Sequence, residues 1–347
     1  MKKTLPVIHL LADFFDTYMP VTIGLSEKTI ISYQYAFQLL FDYLHEERYL
    51  EPEKVMFRDL EQGTIEKFLA WLESNRNSSV STRNQRLSAI SAFAKYAMRR
   101  DVKSTLSFGS EVTSIPKKKV PKDDTIVYLT LEEMTILLKT PNPITKIGRR
   151  DLTLLSVLYA SGARAQEICD LKINDIHFQE KTSLRLLGKG NKGRIVTIPD
   201  ECAKLLKNYM EANNLDALKR KEPRHVFSSQ THEHMTVSCV EEIVKKYVKK
   251  AISANPLLFP SHNYTPHSFR HSIAVHMLGS GVPLPVIKNF LGHASIETTM
   301  IYAKVTPELA HKYLRERKSL ITILPPPELP QNISDRLPFL RKSSKRL

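Results

Sequence analysis

The 347-residue chain predicts a mainly α-helical protein with one small antiparallel β-sheet, divided into two domains. Three observations carry that expectation. Apolar side chains recur at helical spacing along most of the sequence. One pair of short β-type segments flanks a glycine-rich turn within 183–198 and reads as a hairpin. A basic run bracketed by prolines interrupts the periodicity between the two helical stretches, and a hydrophobic share of 42% supplies enough apolar surface for two cores.

Residues 5–103 read as helical. In Lys28–Leu44, Ile31, Tyr35, Leu39 and Tyr43 fall on one face, and residues 63–75 repeat the pattern with Ile65, Phe68, Leu69 and Leu72. A third helix follows Ser81, taken as its N-cap, with Leu87, Ile90, Ala94, Ala97 and Met98 inward and Arg83, Arg86, Lys95 and Arg99 outward. Residues 104–127 lose periodicity and hold Pro116-Lys117-Lys118-Lys119-Val120-Pro121-Lys122, a basic linker suited to crossing a phosphate backbone. The second domain opens at Thr130, a helix cap, and continues through helices at 147–160 and 163–171. Strands Ser183–Leu187 and Arg194–Ile198 then flank the turn 188–193, and helices resume at 200–213, 238–253, 266–278, 283–291 and 296–303. The proline-rich stretch 324–330 cannot be helical, and the basic end of the chain is expected to be an extended arm ordered against a partner subunit or DNA.

Charge is segregated. Residues 1–115 hold 14 basic and 14 acidic residues, so the net +15 resides entirely in 116–347. Within the neutral part, 76–103 carries 7 basic residues against Asp101 alone. Such segregation suits a polyanion partner, with a solvated basic face as the plainer alternative. No apolar run reaches the ~18 residues of a membrane span, and the N-terminal segment, interrupted by Asp13, reads as a first helix rather than a signal peptide. Cys169, Cys202 and Cys239 form no CxxC pair, which points to a reducing, cytoplasmic setting.

The densest chemistry lies in 264–303. Pro266 suits a helix start, so His267 and Arg270, three apart, share a face and make a donor pair for an oxyanion. Gly292 ends one helix, Ser295 caps the next, and His293 is presented from the turn between them. Tyr302 follows nine residues after His293. Upstream, Arg164 stands at a helix start that itself favours an anion, with Glu167 one turn on to orient it, and Lys189 sits at the hairpin tip within reach of a DNA groove. Taken singly, Tyr302 also fits a core aromatic, Arg164 a surface ion pair and Lys189 a solvated turn.

Set in order, Arg164, Lys189, His267, Arg270, His293 and Tyr302 resemble the signature of the tyrosine recombinase (phage integrase) family, in particular its Xer-type and transposon-borne bacterial members. The resemblance spans about 5–315. It implies a helical core DNA-binding domain (1–103), a basic linker (104–127), an α+β catalytic domain (128–318) and a Pro-rich basic tail (319–347), with no further arm-binding domain ahead of the helical unit. Ala163, where Leu or Met is usual, the insertion 254–262 and the long tail depart from the pattern.

The resemblance further implies a 3′-phosphotyrosyl intermediate on Tyr302, formed without metal, cofactor or ATP. Arg164 and Arg270 would hold the non-bridging oxygens, Lys189 would protonate the leaving 5′-oxygen, His267 would serve as general base or phosphate donor, and His293 would bond the phosphate. DNA contacts are expected from Arg83, Arg86, Lys95, Arg99, Lys117, Lys118, Lys119, Lys192 and Arg194. The implied partners are double-stranded recombination sites and three further copies in a tetramer that shares the helix at 305–318, with accessory recombinase subunits as an option, in a bacterial, nucleoid-associated setting. The tail and the insertion favour a mobile element over chromosome or plasmid dimer resolution. Rival readings are a zinc hydrolase built on His267 and His271, which lacks the HExxH pattern, an inactive architectural DNA-binding relic, and a type IB topoisomerase or telomere resolvase.

Overall fold

Short polar side chains cap the starts of several helices, and left-handed glycines end two of them. The computed structural model describes residues 7–120, 126–188, 193–215, 224–229, 232–261 and 263–304. Two units divide between residues 123 and 124. In the first, α1 (Val7–Asp13) runs on as a wider π-helical turn, Phe14–Thr22, and α2 (Glu27–Arg48), α3 (Gln62–Ser74) and α4 (Val80–Arg100) follow. The N-cap of α4 is Ser79 rather than Ser81: its Oγ accepts from Thr82 N at 3.2 Å, a bond worth about 1 kcal/mol. The core of this unit is aromatic, with the rings of Phe14, Phe37, Phe57, Phe108 and Tyr96 gathered around Phe93.

Helix α5 (Val102–Ser114) occupies the first half of the segment expected to be linker. Its Ser- and Thr-rich composition carries weak helical propensity. Tertiary packing overrides that weakness: Thr105, Phe108, Gly109 and Val112, at spacing i, i+3, i+4, i+7, form its buried face, and Asp101 caps Ser104 N. A Cβ at Gly109 would collide with the Met98 side chain, so glycine is what lets α4 and α5 approach.

In the second unit Thr130 and Glu133 form a capping box ahead of α6 (Leu131–Lys139), and α7 (Lys146–Ser161) and α8 (Ala165–Asp170) follow. The sheet has order β1-β2-β3, all antiparallel: β1 (Ile176–His177), which the sequence did not indicate, β2 (Ser183–Leu187) and β3 (Gly193–Thr197). Leu184, Leu186 and Val196 face the core. Helices α9 (Asp200–Ala212) and α10 (Val237–Ala254) bury their apolar faces in the same core, reached also by Phe269 from α11 (Pro266–Gly279). Then come α12 (Leu284–Leu291), the short α13 (Glu297–Met300) and a 3₁₀ turn, Ile301–Lys304. Lys189, Lys192 and residues 305–347, including the expected exchanged helix and tail, lie outside the described residues. Among the described residues, no helix is long and apolar enough to cross a membrane.

Candidate active site

Two left-handed glycines create the turns that carry the candidate residues. Gly162 (φ +57°) ends α7, and Arg164 follows at the N-cap of α8; Gly292 (φ +65°) ends α12, and His293 follows. A Cβ on Gly162 would come within 2.9 Å of Leu291 Cδ2 and Phe290 Cε1, so the two turns pack directly against each other.

Arg270, on α11 and 2% exposed, ties them together. Its Nη1 donates to the Gly162 carbonyl at 2.6 Å and its Nη2 to the Leu291 carbonyl at 2.5 Å. Carbonyls at helix ends lack intrahelical partners and welcome a cation. Burial, then the charges of Arg164 and Arg194, lower Arg270 to about 10, which leaves it protonated at neutral pH.

Glu167, on α8 and buried, is the counter-charge. Its carboxylate accepts from Arg164 Nη1 (2.9 Å) and the Arg164 backbone N (2.8 Å). Arg194 forks onto both oxygens, Nη1 at 2.8 Å and Nη2 at 2.9 Å. Burial alone would raise this carboxyl, but the bonds and charges of Arg194 and Arg164 hold it below the usual carboxylate range. Arg164 keeps 39% of its side chain exposed. Two guanidiniums, Arg164 and Arg194, therefore share one carboxylate while Arg270 stands on the two carbonyls beside them, and among the described residues the site retains positive charge.

Tyr302 stands in the 3₁₀ turn, 1% exposed, in an apolar cluster with Ala274, Val275, Leu278, Ile287 and Leu291. Its hydroxyl lies 3.0 Å from Nδ1 of His271. Burial raises the phenol above its ordinary value, while Arg270 and Arg164 pull it down. His271 is pushed down to about 4 by burial and by His267 and Arg270, so it is neutral at physiological pH, and its tautomer sets which partner donates in that bond. His293, also lowered to about 4 by burial and then by Arg270, Arg164 and Arg194, bonds the buried Thr299 through Nδ1 at 2.9 Å. His267 is exposed beside them, its imidazolium disfavoured by partial burial, Arg270 and Arg164.

The structure thus gathers Arg164, Arg270, His267, His293 and Tyr302 with Glu167. Sequence reasoning missed His271 and Thr299 as partners of Tyr302 and His293; the spacing of His271 four after His267 is the only hint. His267 and His271 lie with ring centroids 5.8 Å apart, and among the described residues no third His, Cys, Asp or Glu joins them in a metal-binding group.

Two of the expected DNA contacts are buried in bonds within the protein. Arg194 does not point outward from its strand: its side chain is 11% exposed and clamped on Glu167, because it shares the inward face of β3 with Val196. Arg83 is 6% exposed and donates to the Pro116 carbonyl at 3.3 Å. It lies twelve residues, hence about 120° around the helix, from Lys95 and belongs to a different face. Arg86 is half-buried, donating to the Ser32 carbonyl and stacking over Tyr35. Lys95, Arg99, Lys117 and Lys119 are exposed, and Lys118 pairs with Glu73 at 2.6 Å.

Comparison with known proteins decides the family. The phage integrase family model matches residues 127–308, and the phage integrase N-terminal SAM-like domain matches 12–101. The chain belongs to the phage integrase family. It is similar to the tyrosine recombinase XerD of Haemophilus influenzae, 32% identical over 91% of this chain and 98% of the relative, and to XerC of Anoxybacillus flavithermus, 28% identical over 88% and 97%. Its fold is that of the XerH site-specific recombinase in a post-cleavage complex with palindromic difH substrate (TM-score 0.66, 17% identity, 90% of this chain and 97% of the other). It is likewise that of the Tn1549 transposon integrase in complex with transposon right end DNA (TM-score 0.62, 16% identity, 89% and 99%). As a tyrosine recombinase, the chain cuts and rejoins DNA through a phosphotyrosine intermediate.

Proposed function

We propose that Tyr302 is the nucleophile of a site-specific recombinase that moves a mobile element, acting on double-stranded recombination sites as a homotetramer in the bacterial nucleoid. The observation that carries the active-site reading is the gathering of three guanidiniums, two of them sharing the single carboxylate of Glu167, beside a buried phenol. An excess of fixed positive charge suits a phosphodiester and the further negative charge its phosphorane develops.

In the proposed step, a bond forms between Tyr302 Oη and phosphorus while the bond from phosphorus to the 5′-oxygen breaks. The phenol proton leaves toward a neighbouring histidine, and Lys189 supplies a proton to the departing 5′-oxygen. Arg164 and the remaining N–H groups of Arg270 hold the non-bridging oxygens, with His293 and His267 beside them. Religation runs the same exchange backwards, so no ATP is required. The phenol must leave its apolar cluster first, and docking of a neighbouring subunit through residues 305–318 is the proposed trigger. The insertion 254–262 and the long tail support the mobile-element role; similarity to XerC and XerD supports dimer resolution as the second reading.

The test is a nicked suicide duplex built on the site recovered by mapping bound DNA in cells. A covalent adduct that survives EDTA and disappears in Tyr302→Phe supports the chemistry, and an adduct that persists in Tyr302→Phe overturns it. Sites mapped to element ends support the mobile-element role, whereas sites confined to one chromosomal locus replace it with dimer resolution.

A further inference from the structure

Arg194 makes more fixed contacts than DNA docking would require. Its fork closes on Glu167, which also holds Arg164 by side chain and backbone. Its Nε donates at 3.0 Å to the carbonyl of Phe290, three residues before His293. Its stem passes over Gly292, where a Cβ would lie 2.9 Å from Arg194 Cδ. One side chain on β3 therefore grips the turn that carries Arg164 and the turn that carries His293.

We propose that Arg194 is a positioning residue for strand cleavage, setting Arg164 and His293 at a fixed separation through Glu167 and the Phe290 carbonyl. Arg270 spans the same two turns from the buried side, through Gly162 and Leu291. Arg270 alone would leave the Glu167 carboxylate held by Arg164 only, with nothing fixing the pair relative to the turn that carries His293. With Arg194 in place the carboxylate is held from two directions, and Arg164 has one orientation in which to meet a phosphate oxygen. Lysine cannot reproduce this, because a single ammonium cannot fork across two carboxylate oxygens while also reaching a carbonyl. The inference rests on the reading of Arg164 and His293 as phosphate ligands.

The experiment compares the full chain with Arg194→Gln and Arg194→Lys on the nicked suicide duplex. Each protein is assayed with an ordinary scissile phosphate and with a methylphosphonate, in which a methyl group replaces one non-bridging oxygen and removes the charge that Arg164 would neutralise. Both variants are expected to bind the site within about twofold of the parent, while adduct formation at saturating DNA falls about 10²-fold, the scale of one misplaced donor. On methylphosphonate the deficit shrinks by about tenfold or more, because the missing orientation of Arg164 matters less there. Loss of binding in parallel with cleavage, equal deficits on the two substrates, or full activity in Arg194→Lys would each overturn the proposal. If Arg194→Gln does not fold, Glu167→Gln keeps the shape of the clamp without its charge and is expected to show the same substrate-dependent deficit. An active Arg194→Gln alongside a dead Tyr302→Phe refutes this inference alone, whereas an adduct in Tyr302→Phe refutes the reading beneath it.

Discussion

The arginines of helix α4 and those around Glu167 carry the same charge but stand in different surroundings. Arg83 ties α4 to Pro116 and Arg86 ties it to Ser32 of α2 through backbone carbonyls, and among the described residues each leaves a buried Nε without a hydrogen-bond partner. Arg164 and Arg194 share the Glu167 carboxylate, and Arg194 and Arg270 between them hold three carbonyls at helix ends. The helical unit keeps its remaining positive charge, on Lys95, Arg99, Lys117 and Lys119, in solvent. Exposed cations contribute salt-sensitive attraction that is indifferent to geometry, whereas cations fixed in a water-poor pocket act on charge as it develops. The first arrangement suits holding DNA and the second suits reacting with it.

That contrast can be broken experimentally, most sharply at the nucleophile. Tyr302→Phe is expected to abolish the covalent adduct while leaving site binding intact, read on denaturing gels against gel-shift titration. Next in size, Arg270→Gln should lower adduct formation by about 10²–10³ and also reduce stability, since the Gly162 and Leu291 carbonyls lose their shared donor. Cleavage falling only in step with the melting temperature would make Arg270 a structural group alone.

A smaller effect concerns pH. His271 and His293 titrate near 4 in the folded chain and near 6.5 when unfolded, so the unfolded state binds protons first as pH falls. Their contribution to stability is present above about 6.5 and is lost progressively toward about 4. Thermal melts across that window should show a declining midpoint, and His271→Asn should flatten the decline. The smallest effect belongs to the solvated cations. Lys95→Gln or Arg99→Gln should weaken binding evenly across sequences and reduce the salt slope by about 0.9 for each phosphate no longer neutralised, with adduct rate at saturating DNA nearly unchanged. A large drop in cleavage rate from either would erase the distinction between the two sets.

Much of the fold was legible because its punctuation is local. Thr130, Pro266 and Gly292 mark helix boundaries by their own stereochemistry, and the ordered cations around Tyr302 form a pattern no single residue carries. Helix α5 escaped because its serines and threonines carry little propensity and tertiary contacts, with α4, Phe57 and the start of α3, stabilise it. Arg194 escaped for a different reason: charge suggested solvent, while its alternation with Val196 placed it on the inward face, and that second signal was the correct one. The bond between His271 and Tyr302 joins residues 31 positions apart and exists only once α11 and the 3₁₀ turn have packed.

That bond, with the apolar cluster around it, has a consequence for genome integrity. An enzyme that must search long stretches of DNA passes innumerable phosphodiesters chemically identical to its target. With the proposed nucleophile folded into its own hydrophobic interior, the chain would travel over them without leaving nicks, and selectivity would be exercised before any bond is touched. With Tyr302 as the proposed nucleophile, every cut would begin with a small unfolding, and the free energy of extracting one aromatic ring would set a threshold for the docking of a neighbouring subunit to meet.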